Sequence, residues 1–232
     1  MDTASFSKKG RDKPNQDSIT SISINGKHLI AISDGMGGKY GGEIASSSAL
    51  DAISESFKIN PELPIESLFE VAHKRLVDLS ISDTTLSEMG ATLSICLINT
   101  GKASIGHVGD TRIYHLRNEG IVTRTKDQTE LQHLLEEGVI TKRKAKNYKR
   151  KNILLSVLTP SKSYELFTAE FDLIQQDRLI LCSDGFYSLV SKSEIKDLSI
   201  ALDSIDDLAS ELLKLVESKD INDDYSCLIY QK

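Results

Sequence analysis

The sequence predicts an α+β fold in which two antiparallel β-sheets pack on one another with helices outside. Strand-like runs are numerous and lie far apart along the chain, so their pairing must be non-local. The helical stretches come as two separate pairs, one before and one after the central strands. Several strand-like runs also meet an aspartate at one end: Asp34, Asp110 and Asp184 close theirs, and Asp223 precedes the last. Carboxylates from distant segments are therefore expected at the rim of the sheets.

Residues 3–7 read as the first strand. A charged stretch, Lys8-Lys9-Gly10-Arg11-Asp12-Lys13, and then Pro14-Asn15-Gln16-Asp17 follow it. Residues 18–24 form a second strand carrying Ile19, Ile22 and Ile24, and Asn25-Gly26 is a strong hairpin signal into a third strand at 28–33. Asp17 and Asp34 thus stand at the ends of segments expected to pair. Residues 42–57 show helical spacing (Ile44, Ala45, Ala49, Ala52, Ile53, Phe57), and Pro61 and Pro64 mark a loop. A second amphipathic helix covers 65–79 with Leu68, Phe69, Ala72, Leu76 and Leu79 inward, and polar residues 80–88 read as a loop.

Residues 91–98, 102–108 and 112–116 are strand-like and joined by short turns, which predicts an antiparallel meander, with a short strand at 121–124. A helix over 130–138 ends on Gly138. The segment 141–151 is strongly basic (Lys142, Arg143, Lys144, Lys146, Lys149, Arg150, Lys151). It reads either as a solvated surface helix or loop, or as a flap that holds an acidic or phosphorylated partner. Strands at 164–171 and 179–183, helices at 193–202 and 205–218, and a last strand at 225–230 complete the chain. No repeat, low-complexity tract or linker interrupts it, so one domain over 1–232 is expected, with 130–160 as a basic flap subregion.

The run Ile30-Ala31-Ile32-Ser33-Asp34-Gly35-Met36-Gly37-Gly38 shows the site grammar best. A buried strand delivers a carboxylate to the sheet rim, and glycines let backbone groups approach whatever sits there. Leu179-Ile180-Leu181-Cys182-Ser183-Asp184-Gly185 repeats the pattern. Such carboxylates repel one another unless a cation lies between them, and hard ions such as Mg2+ and Mn2+ choose oxygen ligands of this kind.

Bulk properties narrow the function. A net charge of −6 argues against broad nucleic-acid binding. No apolar run approaches the ~18 residues of a membrane span. No basic-then-apolar leader opens the sequence, so a cytoplasmic protein without a membrane partner is expected. Cys96, Cys182 and Cys227 each lie in an apolar run, as buried reduced thiols do. The histidines show no metal-ligand pairing.

The motifs Asn15-Gln16-Asp17, Asp34-Gly35-Met36-Gly37-Gly38 with Glu43, Val108-Gly109-Asp110-Thr111-Arg112, Thr125-Lys126-Asp127-Gln128-Thr129, Ser183-Asp184-Gly185 and Asp223-Asp224-Tyr225-Ser226 occur in a telling order. In order and spacing the chain resembles the metal-dependent protein phosphatases, the PPM or type 2C family, and as a small single-domain bacterial-like member. The resemblance covers residues 5–230. It implies a four-layer αββα sandwich with the metal centre at one end, and hydrolysis of phosphoserine and phosphothreonine by a metal-activated water. It also implies two core Mn2+ or Mg2+ ions and a weaker third. Carried over by position, Asp34 would bridge the core ions and the Gly35 carbonyl would bind one of them. Asp184 and Asp223 would bind the other, Asp17 would hold a metal-bound water, and Asp110 with Asp184 would form the third site. The implied partners are a phosphorylated protein, a serine/threonine kinase or its targets, and the implied state is a monomer. The chemistry is coherent, because divalent ions lower a water's pKa, neutralise phosphoryl oxygens and align in-line attack on a very stable ester.

The chain departs from the family pattern at several places. Asp12 stands where an arginine usually binds the substrate phosphate, which leaves Arg11 and Lys13 as the phosphate-binding candidates. Gln16 replaces a frequent glutamate, Met36 a histidine found in some eukaryotic members, and Asp224 the usual asparagine. Asp224 is expected either to bind metal or to add negative charge. The competing reading from Asp12, Gln16 and Asp224 is a catalytically weak or inactive phosphoprotein-binding regulator of the same fold. An enzyme of small phosphorylated metabolites is a third reading, against which the basic segment argues.

Overall fold

In the computed structural model, which describes residues 2–10, 14–37 and 41–232, the strands sort into two antiparallel sheets. One has the order β1-β11-β10-β7-β8, built from Thr3–Lys8, Tyr225–Gln231, Arg178–Cys182, Arg112–Arg117 and Gly120–Thr123. The other has the order β2-β3-β5-β6-β9, from Asp17–Ile24, Lys27–Met36, Leu93–Asn99, Lys102–Val108 and Phe167–Asp172, and the short β4, Gly90–Ala91, pairs with β3.

Side-chain alternation explains why these strands read as continuous apolar runs. Successive residues of a strand face opposite sides of the sheet, and here both sides are covered. On β3, Leu29 and Ala31 join a core with helices α1 (Gly41–Ile59) and α2 (Ile65–Ser82). Ile30 and Ile32 face the other sheet. On β10, Leu179 and Leu181 enter the same inter-sheet core. Ile180 and Cys182 point outward to α6 (Lys192–Ala201) and α7 (Ile205–Glu217), against Ile195, Leu208 and Leu212. Three apolar layers between four structural layers make the predicted sandwich. All three cysteines are buried and free.

Local signals hold where a turn demands special backbone. Asn25 and Gly26 both take positive φ, at 51° and 79°, as the tight β2–β3 hairpin requires. Ser191 and Glu194 form a reciprocal capping box at the start of α6.

The meander is corrected. β5 and β6 pair, but β6 turns its other edge to β9, and β7 lies in the opposite sheet between β10 and β8. The chain changes sheets at Gly109-Asp110-Thr111. Gly109 adopts φ 107°, and a Cβ there would lie 2.5 Å from the Thr92 side chain, so the chain leaves β6 by a route only glycine permits. The predicted strand at 91–98 is interrupted at Thr92, which bonds across to Asp34. Residues 164–166 lie outside β9. The polar stretch 80–88 holds the end of α2 and a 3₁₀ turn, Thr84–Leu86. A short helix, α5 (Asp184–Leu189), follows β10 where no element was expected. The helix after Thr129, α3 (Glu130–Glu136), stops before Gly138, and the basic segment holds only one turn of helix, α4 (Lys142–Ala145). Among the described residues no helix is long and apolar enough to cross a membrane.

Candidate active site

β2 and β3 pair so that Asp17 stands directly opposite Asp34. The end of β3 is held on both sides: Gly35 N donates to Gln16 O (3.0 Å), Asp34 N to Thr92 Oγ1 (2.9 Å), and Thr92 N to Asp34 O (2.8 Å). Ser46 of α1 donates to Gln16 O (2.6 Å), tying the helix to the same corner. Gly35 admits no side chain, because a Cβ would overlap the Gly42 carbonyl at the start of α1.

The second sheet brings its own carboxylates to this corner. Cys182 pairs with Cys227, so Asp184, just past β10, and Asp223, just before β11, emerge at the same edge. Ser183 joins the two sheets: its hydroxyl donates to Asp17 Oδ2 (2.6 Å) and accepts from Ser226 N (3.0 Å). The crossing turn after β6 supplies Asp110. Asp34, Gly35, Asp110, Asp184, Asp223 and Asp224 all line one cleft of about 920 Å³. A neighbouring cleft of about 650 Å³ shares Asp110, Asp184 and Asp223 and adds Arg112, Asp127 and Lys151.

The carboxylates press on one another. Burial, then Asp17, Asp184, Asp110 and Asp223, push the Asp34 carboxyl well above its usual range. Burial pushes Asp17 up to about 7 against the opposing Ser183 hydrogen bond. Burial and Asp184 push Asp110 up to about 8. Asp184 is raised by burial and by Asp223. Asp17 Oδ1 is buried and has no hydrogen-bond partner in the protein. A buried carboxylate cluster with an orphaned oxygen is a donor set for a hard divalent cation. Among the described residues, no three His, Cys, Asp or Glu side chains gather closely enough to hold one ion by themselves. The oxygens are instead spread around the cleft. That suits Mg2+ or Mn2+ sites built from one or two carboxylates each, completed by carbonyls, waters or substrate oxygens.

Compared with known families, residues 7–222 match Protein phosphatase 2C. The chain belongs to the protein phosphatase 2C family. Serine/threonine phosphatase stp of Listeria welshimeri is 29% identical over 212 residues, spanning 88% of this chain and 84% of the relative. The crystal structure of the Mycobacterium tuberculosis serine/threonine phosphatase PstP/Ppp superposes with a TM-score of 0.89 at 26% identity, covering 99% of this chain and 97% of that one. A structure of the PstP catalytic domain in complex with two manganese ions superposes with a TM-score of 0.85 at 25% identity, covering 99% and 96%. Manganese or magnesium is the cofactor of the family, and the carboxylate set here fits it.

Asp34, Gly35, Asp110, Asp184 and Asp223 thus line one cleft, and Asp17 is buried opposite Asp34. Arg11 and Lys13, with Asp12 between them, and Gly38 lie outside the described residues. Arg112 serves Asp127 in a two-pronged ion pair (2.9 and 2.6 Å) and stacks on Tyr187 at 3.6 Å, which makes it structural. No histidine lines either cleft among the described residues. His107 is buried and bonded to Ser94 and the Lys126 carbonyl, and burial lowers its pKa to about 4.

Asp224 has a role that sequence reasoning missed. Its Oδ1 accepts from Gly10 N and its Oδ2 from Gln16 N, both at 2.9 Å, so the carboxylate ties together the two ends of segment 10–16. Ser183 and Thr92 were also missed. A signal for the serines was present in the repeated Ser-Asp-Gly at 33–35 and 183–185. Both hydroxyls turn inward, Ser33 to Thr92 O (2.6 Å) and Ser183 to Asp17.

Proposed function

We propose that this chain is a manganese- or magnesium-dependent protein serine/threonine phosphatase that removes phosphate from phosphoserine and phosphothreonine and opposes a partner kinase. The observation that carries the reading is the convergence of Asp34, Asp110, Asp184 and Asp223 from both sheets on one cleft, with Asp17 buried opposite Asp34, in a member of the protein phosphatase 2C family. Asp34 and the Gly35 carbonyl, with Asp184 and Asp223, are the groups to hold two cations, and Asp110 with Asp184 a weaker third. Once bound, such ions supply an activated water and neutralise the phosphoryl oxygens.

The chain's own groups then position and shield. Ser183 holds Asp17 by one carboxylate oxygen, which leaves the buried, unpartnered Oδ1 to accept a hydrogen bond from a bound water. The fixed orientation keeps that acceptor aimed, which is worth more than an equal group free to rotate. Arg11 and Lys13 carry the charge for the substrate phosphate. The chain is read as one domain acting as a cytoplasmic monomer.

Hydrolysis of a phosphothreonine peptide tests this. Turnover is expected with Mn2+, is abolished by excess EDTA, and falls at least ~100-fold in Asp184→Asn, beyond the usual effect of a group behind a metal ligand. Full activity in EDTA would overturn the metal-dependent mechanism.

A further inference from the structure

The segment 141–151 contains seven basic residues and no acidic one, in a chain of net charge −6. Most of its cations are not neutralised locally, although Lys151 stands close enough to Asp184 for its charge to act on that carboxylate. Among the described residues, Lys142, Arg143, Lys144, Lys146, Lys149 and Lys151 form no ion pair. Arg150 is the exception, and it is structural. Glu130 grips its guanidinium with both oxygens (3.0 and 2.6 Å) and also accepts from the Tyr148 hydroxyl. The acids at the end of α3 are engaged elsewhere, Glu136 with Lys126 (2.6 Å) and Glu137, just past the helix, with His133 (3.5 Å).

The segment is also anchored where it returns to the body of the protein. Glu130 N donates to Ile153 O and Leu155 N to Gln128 O, each at 2.8 Å, and Thr129 pairs with Leu154. This places its C-terminal end on the cleft walls: Lys151 lines the smaller cleft, Asn152 lines both, and Ile153, 44% exposed, lines the larger. The phosphorylated side chain of a peptide bound in the carboxylate cleft would therefore sit beside the C-terminal end of this segment.

We propose that the basic segment 141–151 is a docking surface for acidic residues flanking the phosphoserine or phosphothreonine of the substrate. The proposal rests on the phosphatase reading and adds a substrate class to it. Charge is divided between two places. The cleft is walled by Asp34, Asp110, Asp184 and Asp223 and takes one phosphate through cations. Lys142, Arg143, Lys144, Lys146 and Lys149, which line neither cleft, offer ammonium and guanidinium groups with no ion-pair partner among the described residues. A peptide with one phosphate and separate Asp or Glu neighbours meets both surfaces. A continuous polyanion such as nucleic acid is opposed by the chain's net charge of −6. Each exposed pair contributes little, so the preference is a sum over several weak contacts and is screened by salt.

The test compares two phosphothreonine peptides of one core sequence, flanked by three Asp or by three Lys, with Mn2+. Wild type is expected to favour the acidic peptide by about tenfold in kcat/KM, a preference that shrinks in ~0.5 M salt. In the triple variant Lys142→Glu, Lys144→Glu, Lys146→Glu the preference disappears or reverses. Turnover of p-nitrophenyl phosphate, which has no peptide to extend to residues 142–146, is unchanged, which shows the variant folded. Equal rates for the two peptides, or a preference that survives the triple variant, would overturn the docking surface. Binding of the same labelled peptides, read by fluorescence anisotropy, separates the two proposals. Acidic preference in binding with no turnover of any substrate would leave the surface standing and remove the phosphatase reading. Binding of a 20-nucleotide single-stranded DNA tighter than the acidic peptide would assign the surface to nucleic acid and overturn the proposal.

Discussion

At the scale of single residues, the Asp224 carboxylate accepts two backbone amides, one on each oxygen. An asparagine side chain has one acceptor oxygen and would turn N–H groups toward the second amide. Asp224→Asn therefore leaves one partly buried N–H without an acceptor. The expected cost is about 1–3 kcal/mol, read as a lower denaturant midpoint at unchanged slope. An unchanged midpoint would mean that water replaces the lost acceptor. The same two bonds account for a carboxylate at this position beside a crowded acidic cleft: both its oxygens already have donors, and it is not left as one more bare charge.

At the scale of elements, the site depends on how closely α1 approaches the end of β3. Gly35 and Gly42 are in backbone contact, and Ser46 of the same helix bonds Gln16 O on the neighbouring strand. Gly35→Ala would drive a methyl group into the Gly42 carbonyl. Either the helix start moves or the strand end does, at a cost of about 1–3 kcal/mol or more. Thermal unfolding should show the loss, and Mn2+ affinity measured by calorimetry should fall with it, because the Gly35 carbonyl, proposed above as a metal ligand, shifts. Retention of both stability and affinity would show that the contact relaxes freely. The β6–β7 connection is a second element-scale device. By changing sheets through Gly109 it carries Asp110 from one layer's edge to the corner where the other layer presents Asp184.

At the scale of the whole molecule, the sandwich gathers like charges at one end, and stability should report this. Carboxyls whose folded pKa is raised, such as Asp17 at about 7 and Asp110 at about 8, hold a proton in the folded state that the unfolded chain releases near pH ~4. Their effect on stability is therefore absent at low pH, grows unfavourable as pH rises from ~4 toward 8, and is then constant. A divalent cation offsets it by binding the ionised form. The gain in Tm on adding Mn2+ to EDTA-treated protein should increase between pH 5 and pH 8. A gain independent of pH would mean that the carboxylates are already ionised and balanced without the ion.

The sequence by itself determined most of the elements and the carboxylate character of the candidate site. Apolar runs covered on both faces marked β3 and β10, helical spacing marked α1, α2 and α7, and aspartates beside glycines at strand ends marked Asp34, Asp110 and Asp184. Local patterns of this kind record how deeply a residue is buried and on which side of its own element. They do not record which partner does the burying. For that reason β7, apolar on both faces, could pair with β6 or with a strand some sixty residues later, and only the tertiary structure placed it beside β10. Asp224 likewise looks like one more exposed acid until Gly10, 214 residues earlier, arrives with an amide to be accepted. Ser183 looks like an ordinary turn residue until Asp17 of the other sheet meets its hydroxyl. Hydrogen bonds of this kind depend on atoms far apart in the chain arriving within 3 Å, and that distance is set by the packing of the two sheets.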